Sequence, residues 1–420
     1  MTRVGEVIRV QDVQLVRARK FAPNAVDQAA FAISNVLLTA SFVRFGSSQD
    51  LAEFALLYTA WAWCLVVFRT VISERLLVRL GETTADSAET RRVLVASAIG
   101  AVGMVGLAVA VGGTALTYAL GGLSAFTVVF FVMLPALLLQ DLCRYWQIGS
   151  GRASLAMRAD LVWLAAQFVM VGAIEFGAIA RDGVVIWVSW ALPGVLSLVL
   201  FPLWSGQLWE ASARAARHLS WFGQEGRRSF DMLVDAVLGR GALLVGQLLV
   251  GALVSPVLLV PIRLGRSAMG PLQSLSMLAT TASLPPLARL ARVDAQAAIR
   301  RAALVGAGVG LIGLAYGAVL SFGLRLVDFG EFSSTDSRLA ILFFAALAIL
   351  QGGTLAGRLI LKAQSRTAEL ARIRVVTGPI SIGGSALLAI QFGWPGLILA
   401  SAIVTAATLT LMARTLWRSK

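Results

Sequence analysis

Residues Arg300 to Arg325 read RRAALVGAGVGLIGLAYGAVLSFGLR. Between the flanking arginines run 23 residues, Ala302 to Leu324, without one charge. A helix rises about 1.5 Å per residue, so this run matches the roughly 30 Å hydrocarbon core of a bilayer. The pattern recurs along the chain. Of its 420 residues, 58% are hydrophobic and only 14% charged, and mean hydropathy is +0.81. A soluble chain of this length needs far more polar surface. Apolar blocks fall at roughly 22–43, 51–72, 93–112, 122–142, 159–180, 184–204, 230–252, 256–280, 302–324, 338–360, 373–392 and 395–415. Pro135, Pro193, Pro261 and Pro379 lie inside them, as is common in membrane helices. The fold class expected is an all-α polytopic membrane protein with about twelve spans.

The charges orient it. There are 36 Lys plus Arg against 22 Asp plus Glu, a net charge of +14. In a soluble protein that excess points to nucleic acid. Here 28 of the 36 lie in the two termini and the loops after even-numbered spans. The opposite loops hold four, Arg44, Arg181, Arg325 and Arg338. The last four, Arg69, Arg240, Arg263 and Arg266, fall inside spans. This asymmetry places both termini in the cytoplasm and makes the span count even. The charge is thus spent on topology and on anionic lipid head groups, and no nucleic-acid partner is expected.

Other classes drop out on composition. Cys64 and Cys143 sit in or beside apolar blocks, in no CxxC or Cys/His cluster, so neither disulfide framework nor metal site is expected. The single histidine, His218, lies in a polar loop. Lys20, Lys362 and Lys420 follow no phosphate-binding glycine loop, which excludes a built-in ATPase, and no cofactor is implied. Residues 1–20 mix acids and bases with no apolar core, so they are no signal peptide. They read as a cytoplasmic tail, either frayed or a weak interfacial helix. The outer loops are too short to carry a domain.

The second half echoes the first. Val26-Asp27 and Val234-Asp235 open spans 1 and 7. Ser73-x5-Arg79-Leu80 and Ser283-x5-Arg289-Leu290 follow spans 2 and 8. Arg144-x7-Arg152-x5-Arg158 and Arg358-x7-Arg366-x5-Arg372 follow spans 4 and 10. Two homologous lobes are expected, an N-lobe over 21–204 and a C-lobe over 230–416, joined by a cytoplasmic linker at 205–229, with 417–420 as the C-terminus. Six spans per lobe give both the same orientation, so a pseudo-two-fold axis would run along the membrane normal.

With these features the chain resembles the MOP flippase superfamily, and within it the polysaccharide-export branch that includes O-antigen flippases. The residues carrying the resemblance are Asp27-Gln28-x2-Phe31-x3-Asn35 and Val43-Arg44-Phe45-Gly46, with Arg144-Tyr145-x6-Arg152, Asp160-x2-Trp163, Pro271 and Leu284-Pro285 in support. Twelve spans are two fewer than the superfamily's lipid II flippases typically carry, which points away from a peptidoglycan precursor. The resemblance implies a substrate of polyprenyl-pyrophosphate bearing a sugar chain, moved by alternating access, with glycan polymerases or glycosyltransferases of the same pathway as partners. The bias of arginine over lysine fits a GC-rich bacterium, so a bacterial plasma membrane is the expected location.

A charge inside a span marks a functional candidate. Arg263 and Arg266, three apart, share a helix face and suit a pyrophosphate. Arg240 and Arg69 are further candidates, with an intralobe ion pair as the alternative for Arg240 and snorkelling or pairing with Glu74 or Asp27 for Arg69. Asn24, Gln28, Asn35, Gln247 and Gln273 are the polar groups expected to meet sugar hydroxyls. Asp27, Asp235 and Glu175 are candidates for ion coupling; the first two sit at helix starts, where an acid is favoured anyway. Asp141 and Asp160 read as interfacial salt-bridge partners, and Trp146, Trp187, Trp204 and Trp394 as interfacial anchors. Two other readings remain. A cation-coupled multidrug exporter of the same fold would need acids rather than arginines at mid-depth. A membrane glycosyltransferase or polymerase would need larger outer loops, so a non-enzyme is expected.

Overall fold

The computed structural model describes residues 2–73, 76, 88–119, 121–205, 233–234, 236–326, 334–364 and 366–417. Among them every regular element is a helix. In chain order these are α1 (Thr2–Phe45), α2 (Ser48–Phe68), α3 (Ala88–Ala119), α4 (Ala125–Gly149), α5 (Ala153–Glu175), α6 (Gly183–Ser205), α7 (Ala242–Leu253), α8 (Leu259–Ala268), α9 (Gly270–Val293), α10 (Ala295–Leu326), α11 (Thr335–Ala363), α12 (Thr367–Phe392) and α13 (Trp394–Trp417). Short π-helical turns at Arg69–Ser73 and Val237–Gly241 follow α2 and precede α7. Among the described residues, ten helices are long and apolar enough to cross a membrane, and α7 is a shorter apolar helix. The protein is a multi-pass, all-α membrane protein.

Local chemistry sets the helix starts. Ser47 caps α2: its hydroxyl accepts from the Asp50 N–H, and the Asp50 carboxylate accepts from the Ser47 N–H. Ser124 and Ser334 cap α4 and α11 in the simpler one-way manner. Between α12 and α13 the chain turns on Gly393, whose φ of 65° suits a residue without a Cβ.

Three boundaries differ from the sequence-based ones. Residues 2–20 continue into the first span as one helix. The fourth span runs to Gly149, seven residues past its expected end, because nothing in Cys143–Gly149 breaks a helix. The eighth span is not one helix. A 3-10 turn at Pro256–Leu258 leads into α8, which stops at Met269; α9 then starts with Pro271 in its first turn. Proline supplies no N–H and disfavours helical backbone at the residue before it, so the ladder is interrupted there. The expected linker lies outside the described residues apart from Ser205, the end of α6.

Contacts divide the described chain into two compact units. The first comprises Met1–Ser34, Ile72–Ile179 and Trp187–Glu225; the second comprises Asn35–Val71, Ala180–Ile186 and Gly226–Lys420. In the first, α4 packs against α3 and α5. Its centre is aromatic: Trp187 lies 4.9 Å from Trp190 and 5.2 Å from Phe130, and Trp190 lies 5.1 Å from Trp163. Trp187 and Trp146 are therefore buried, not interfacial anchors. In the second unit α8 is enclosed by α2 and α11, and Leu259, Ile262, Ile341, Phe344 and Leu397 share its core.

In the second unit α10 and α11 approach backbone to backbone. A Cβ on Gly306 would come within 2.3 Å of the Gly352 carbonyl oxygen, and one on Gly352 within 2.2 Å of the Gly306 oxygen. Small residues let membrane helices touch backbone to backbone. Gly306→Val is expected to force the pair apart and destabilise the protein by about 1–3 kcal/mol or more. Thermal melting in detergent checks it; an unchanged midpoint would remove this contact from the account.

Candidate functional site

Two buried polar centres stand out, one in each unit. In the second unit the centre is built on α8. Its arginines are separated by one turn, as expected, and both are largely enclosed; Arg263 is 8% exposed. The Arg263 guanidinium carbon lies 3.2 Å from the centroid of the Tyr58 ring and 5.2 Å from that of Phe54. Phe54 in turn stacks on Phe42 at 4.1 Å, nearly parallel. The Arg263 Nη2 donates to the Thr39 hydroxyl at 2.9 Å, while its buried Nε has no partner. The Tyr58 hydroxyl donates to the Asn35 side-chain oxygen at 2.5 Å. Arg266 donates from Nη1 to Gln247 Oε1 at 2.9 Å and lies 5.9 Å from the Phe344 ring.

No carboxylate pairs with either arginine among the described residues. Both contact aromatic faces and neutral oxygens, which hold a guanidinium in place without neutralising it. Two like charges one turn apart, in an enclosed space and with the Arg263 Nε–H unused, have the donor chemistry that suits an anion.

Four of the residues singled out in the sequence meet here: Arg263, Arg266, Asn35 and Gln247. Thr39, Tyr58, Phe54 and Ser267 were missed. Thr39 carries a faint signal, since it stands four residues after Asn35 and so on the same helix face. Gln273 does not join them; it is exposed at the start of α9. Arg69 is half-buried in the π-turn after α2. Arg240 occupies the other π-turn, with its side chain outside the described residues, as is all of Asp235. Glu175 is the exposed last residue of α5.

In the first unit the centre is Arg144. Its place in the extended α4 corrects its reading as a loop residue. Nη2 lies 2.7 Å from Asp27, Nε 2.9 Å from Asp160 and Nη1 3.3 Å from Asp141, and no side chain in the group is more than 5% exposed. Gln28 donates to Asp27 and Gln140 to Asp160, both at 3.1 Å. Phe31 covers the guanidinium at 4.8 Å, and its ring lies 6.2 Å from Trp163. Asp141 and Asp160 are thus buried partners of Arg144, not interfacial ones. Asn24, one turn before Asp27, keeps a buried side-chain oxygen without a partner. Asp27, Phe31, Arg144, Asp160 and Trp163, scattered through the motifs quoted above, form one cluster. The guanidinium fills the space between the aspartates, and among the described residues no group of metal-ligating side chains is arranged to hold a metal.

No family model and no curated relative matches the sequence. Solved structures do match. A eukaryotic MATE transporter superposes with a TM-score of 0.70 at 15% identity, covering 97% of this chain and 96% of that one. The fold is that of the MOP transporters. The lipid II flippase MurJ in an inward closed conformation superposes with a TM-score of 0.67 at 11% identity, over 93% of this chain and 86% of that one. A MOP superfamily transporter of Pyrococcus furiosus, whose reversed binding-pocket polarity was taken to suggest a different function, gives 0.62 at 11% identity, over 96% and 94%. At these identities the MOP likeness extends to the backbone path alone. What the chain carries has to be argued from its own side chains.

Proposed function

We infer that this protein is a MOP-type membrane flippase for a lipid-linked anionic glycan. The substrate class is a polyprenyl-pyrophosphate carrying an oligosaccharide, moved by alternating access from the cytoplasmic to the outer leaflet of a bacterial plasma membrane. The observation that carries this reading is the pair of buried Arg263 and partly buried Arg266, one turn apart with no acid paired to either among the described residues. Burying an uncompensated charge is expensive, so a chain retains two only where an anion repays it. A cationic drug would be repelled from the same place, which sets the multidrug reading behind this one. That MurJ, a lipid II flippase, shares the fold adds support. Both termini in the cytoplasm, and pathway glycosyltransferases or a polymerase as partners, belong to the same reading.

The first unit supports ion coupling. Three aspartates face one arginine, so with all four charged the cluster keeps two negative charges in a buried place. A cation drawn to this excess of negative charge would make the cluster the coupling site in this reading.

The test is reconstitution. Purified protein in liposomes with a fluorescent polyprenyl-diphosphate oligosaccharide is expected to render the label accessible to a membrane-impermeant quencher faster than empty liposomes do. Absence of translocation, together with export of a cationic dye by the same liposomes, would overturn the proposal.

A further inference from the structure

The surroundings of Arg263 say more than that an anion binds. A guanidinium has five N–H groups in one plane and two open faces. The Tyr58 ring, at 3.2 Å, closes one face. Thr39 takes one Nη2 hydrogen. The Thr39 hydroxyl hydrogen is itself committed to the Asn35 carbonyl at 2.9 Å, so in its 2.8 Å contact with Ser267 the serine is the donor. The Thr39 oxygen is therefore saturated and its rotamer fixed. Tyr58 is fixed through the side chain of the same Asn35. Asn35 thus anchors both groups that hold the guanidinium. What remains available is the in-plane edge, including the buried, unpartnered Nε–H.

We propose that Tyr58 and Thr39 are positioning residues that present the in-plane edge of Arg263 to one phosphoryl group while Arg266 takes the adjacent one, so that the site selects a diphosphate over a monophosphate. This rests on the anionic-headgroup reading above and deepens it. Residues three apart on a helix carry their Cβ atoms about 5–6 Å from each other. Two linked phosphoryl groups can engage both guanidinium groups at once; one phosphoryl group leaves the second arginine unused. Without the stacked ring, Arg263 regains rotamer freedom and that distinction weakens.

The experiment compares binding of farnesyl diphosphate and farnesyl monophosphate to the purified full-length protein in detergent. The wild type is expected to prefer the diphosphate by about tenfold or more. Tyr58→Leu is expected to lose about tenfold in diphosphate binding and most of the preference, with monophosphate binding little changed. Tyr58→Phe, which keeps the stacking ring, is expected to restore most of both. Thr39→Val, which keeps shape and removes the acceptor, is expected to reduce the preference in the same direction, and it carries the test should Tyr58→Leu fail to fold. If Tyr58→Leu and Thr39→Val keep the wild-type preference while Arg263→Ala abolishes binding, the positioning role is wrong and the arginine site stands. If Arg263→Ala and Arg266→Ala also bind like wild type, the proposed function falls with it.

Discussion

The Arg263→Ala/Arg266→Ala double variant is expected to lose substrate capture by at least about 100-fold while melting no lower than the wild type. The first half follows from charge-assisted hydrogen bonds, each contributing about 1.5–3 kcal/mol. The second half follows from the absence of a carboxylate partner. Removing one member of a buried ion pair strands the other, but among the described residues there is no acid here to strand. Deleting the arginines removes an unpaid desolvation penalty and leaves Gln247 and Thr39 with lost neutral contacts only. A structural role would couple the two readouts and lower the melting point. Translocation in liposomes and thermal melting, measured on the same preparations, separate these cases. A large drop in melting temperature would assign the arginines to the scaffold.

Arg144 is expected to behave in the opposite way. Arg144→Ala leaves three aspartates, each no more than 5% exposed, without their shared cation. Breaking a buried pair by removing one partner typically costs about 3–5 kcal/mol, and here one deletion breaks three contacts. This is a large share of the stability of an ordinary fold, so the variant is expected to accumulate poorly in the membrane. Adding Asp27→Asn, Asp141→Asn and Asp160→Asn to it should recover much of the loss, because neutral amides are far cheaper to bury than carboxylates. Yield and melting temperature of the single and quadruple variants decide the matter. A quadruple variant no better than Arg144→Ala alone would show that the group acts by shape and not by charge.

Spans and their length were legible in the sequence because the bilayer imposes them: a block such as Ala302–Leu324 admits one reading. The charged pair Arg263 and Arg266 was legible for the same reason, since charge inside an apolar block is conspicuous. Arg144 was not. It stands two residues past an apparent span end, shortly before Arg152 at the cap of the next helix, and only the helical continuation to Gly149 places it inside. Its partner Asp27 resembled an ordinary acid at a helix start. The division of the eighth span at Met269 was also hidden, because proline is common in membrane helices and Pro271 alone does not say which one breaks. Tyr58 and Thr39 carry no charge and sit in ordinary apolar surroundings. Their role exists only once α1, α2 and α8 are brought together.

The interruption at Met269 bears on how the charge of Arg266 is tolerated. Because α8 ends there, its last carbonyls are not all consumed by a following turn, although Tyr316 donates to that of Ala268 at 2.9 Å. A helix end of this kind carries about half a negative charge, and Arg266 stands in the last turn. Backbone dipoles thus help to steady the cation. A side-chain acid in that role would form a competing salt bridge, which every arriving headgroup would first have to displace. A dipole fixed in the peptide backbone neither leaves nor competes, so under the proposed function a headgroup would reach the guanidinium with no counterion to push aside.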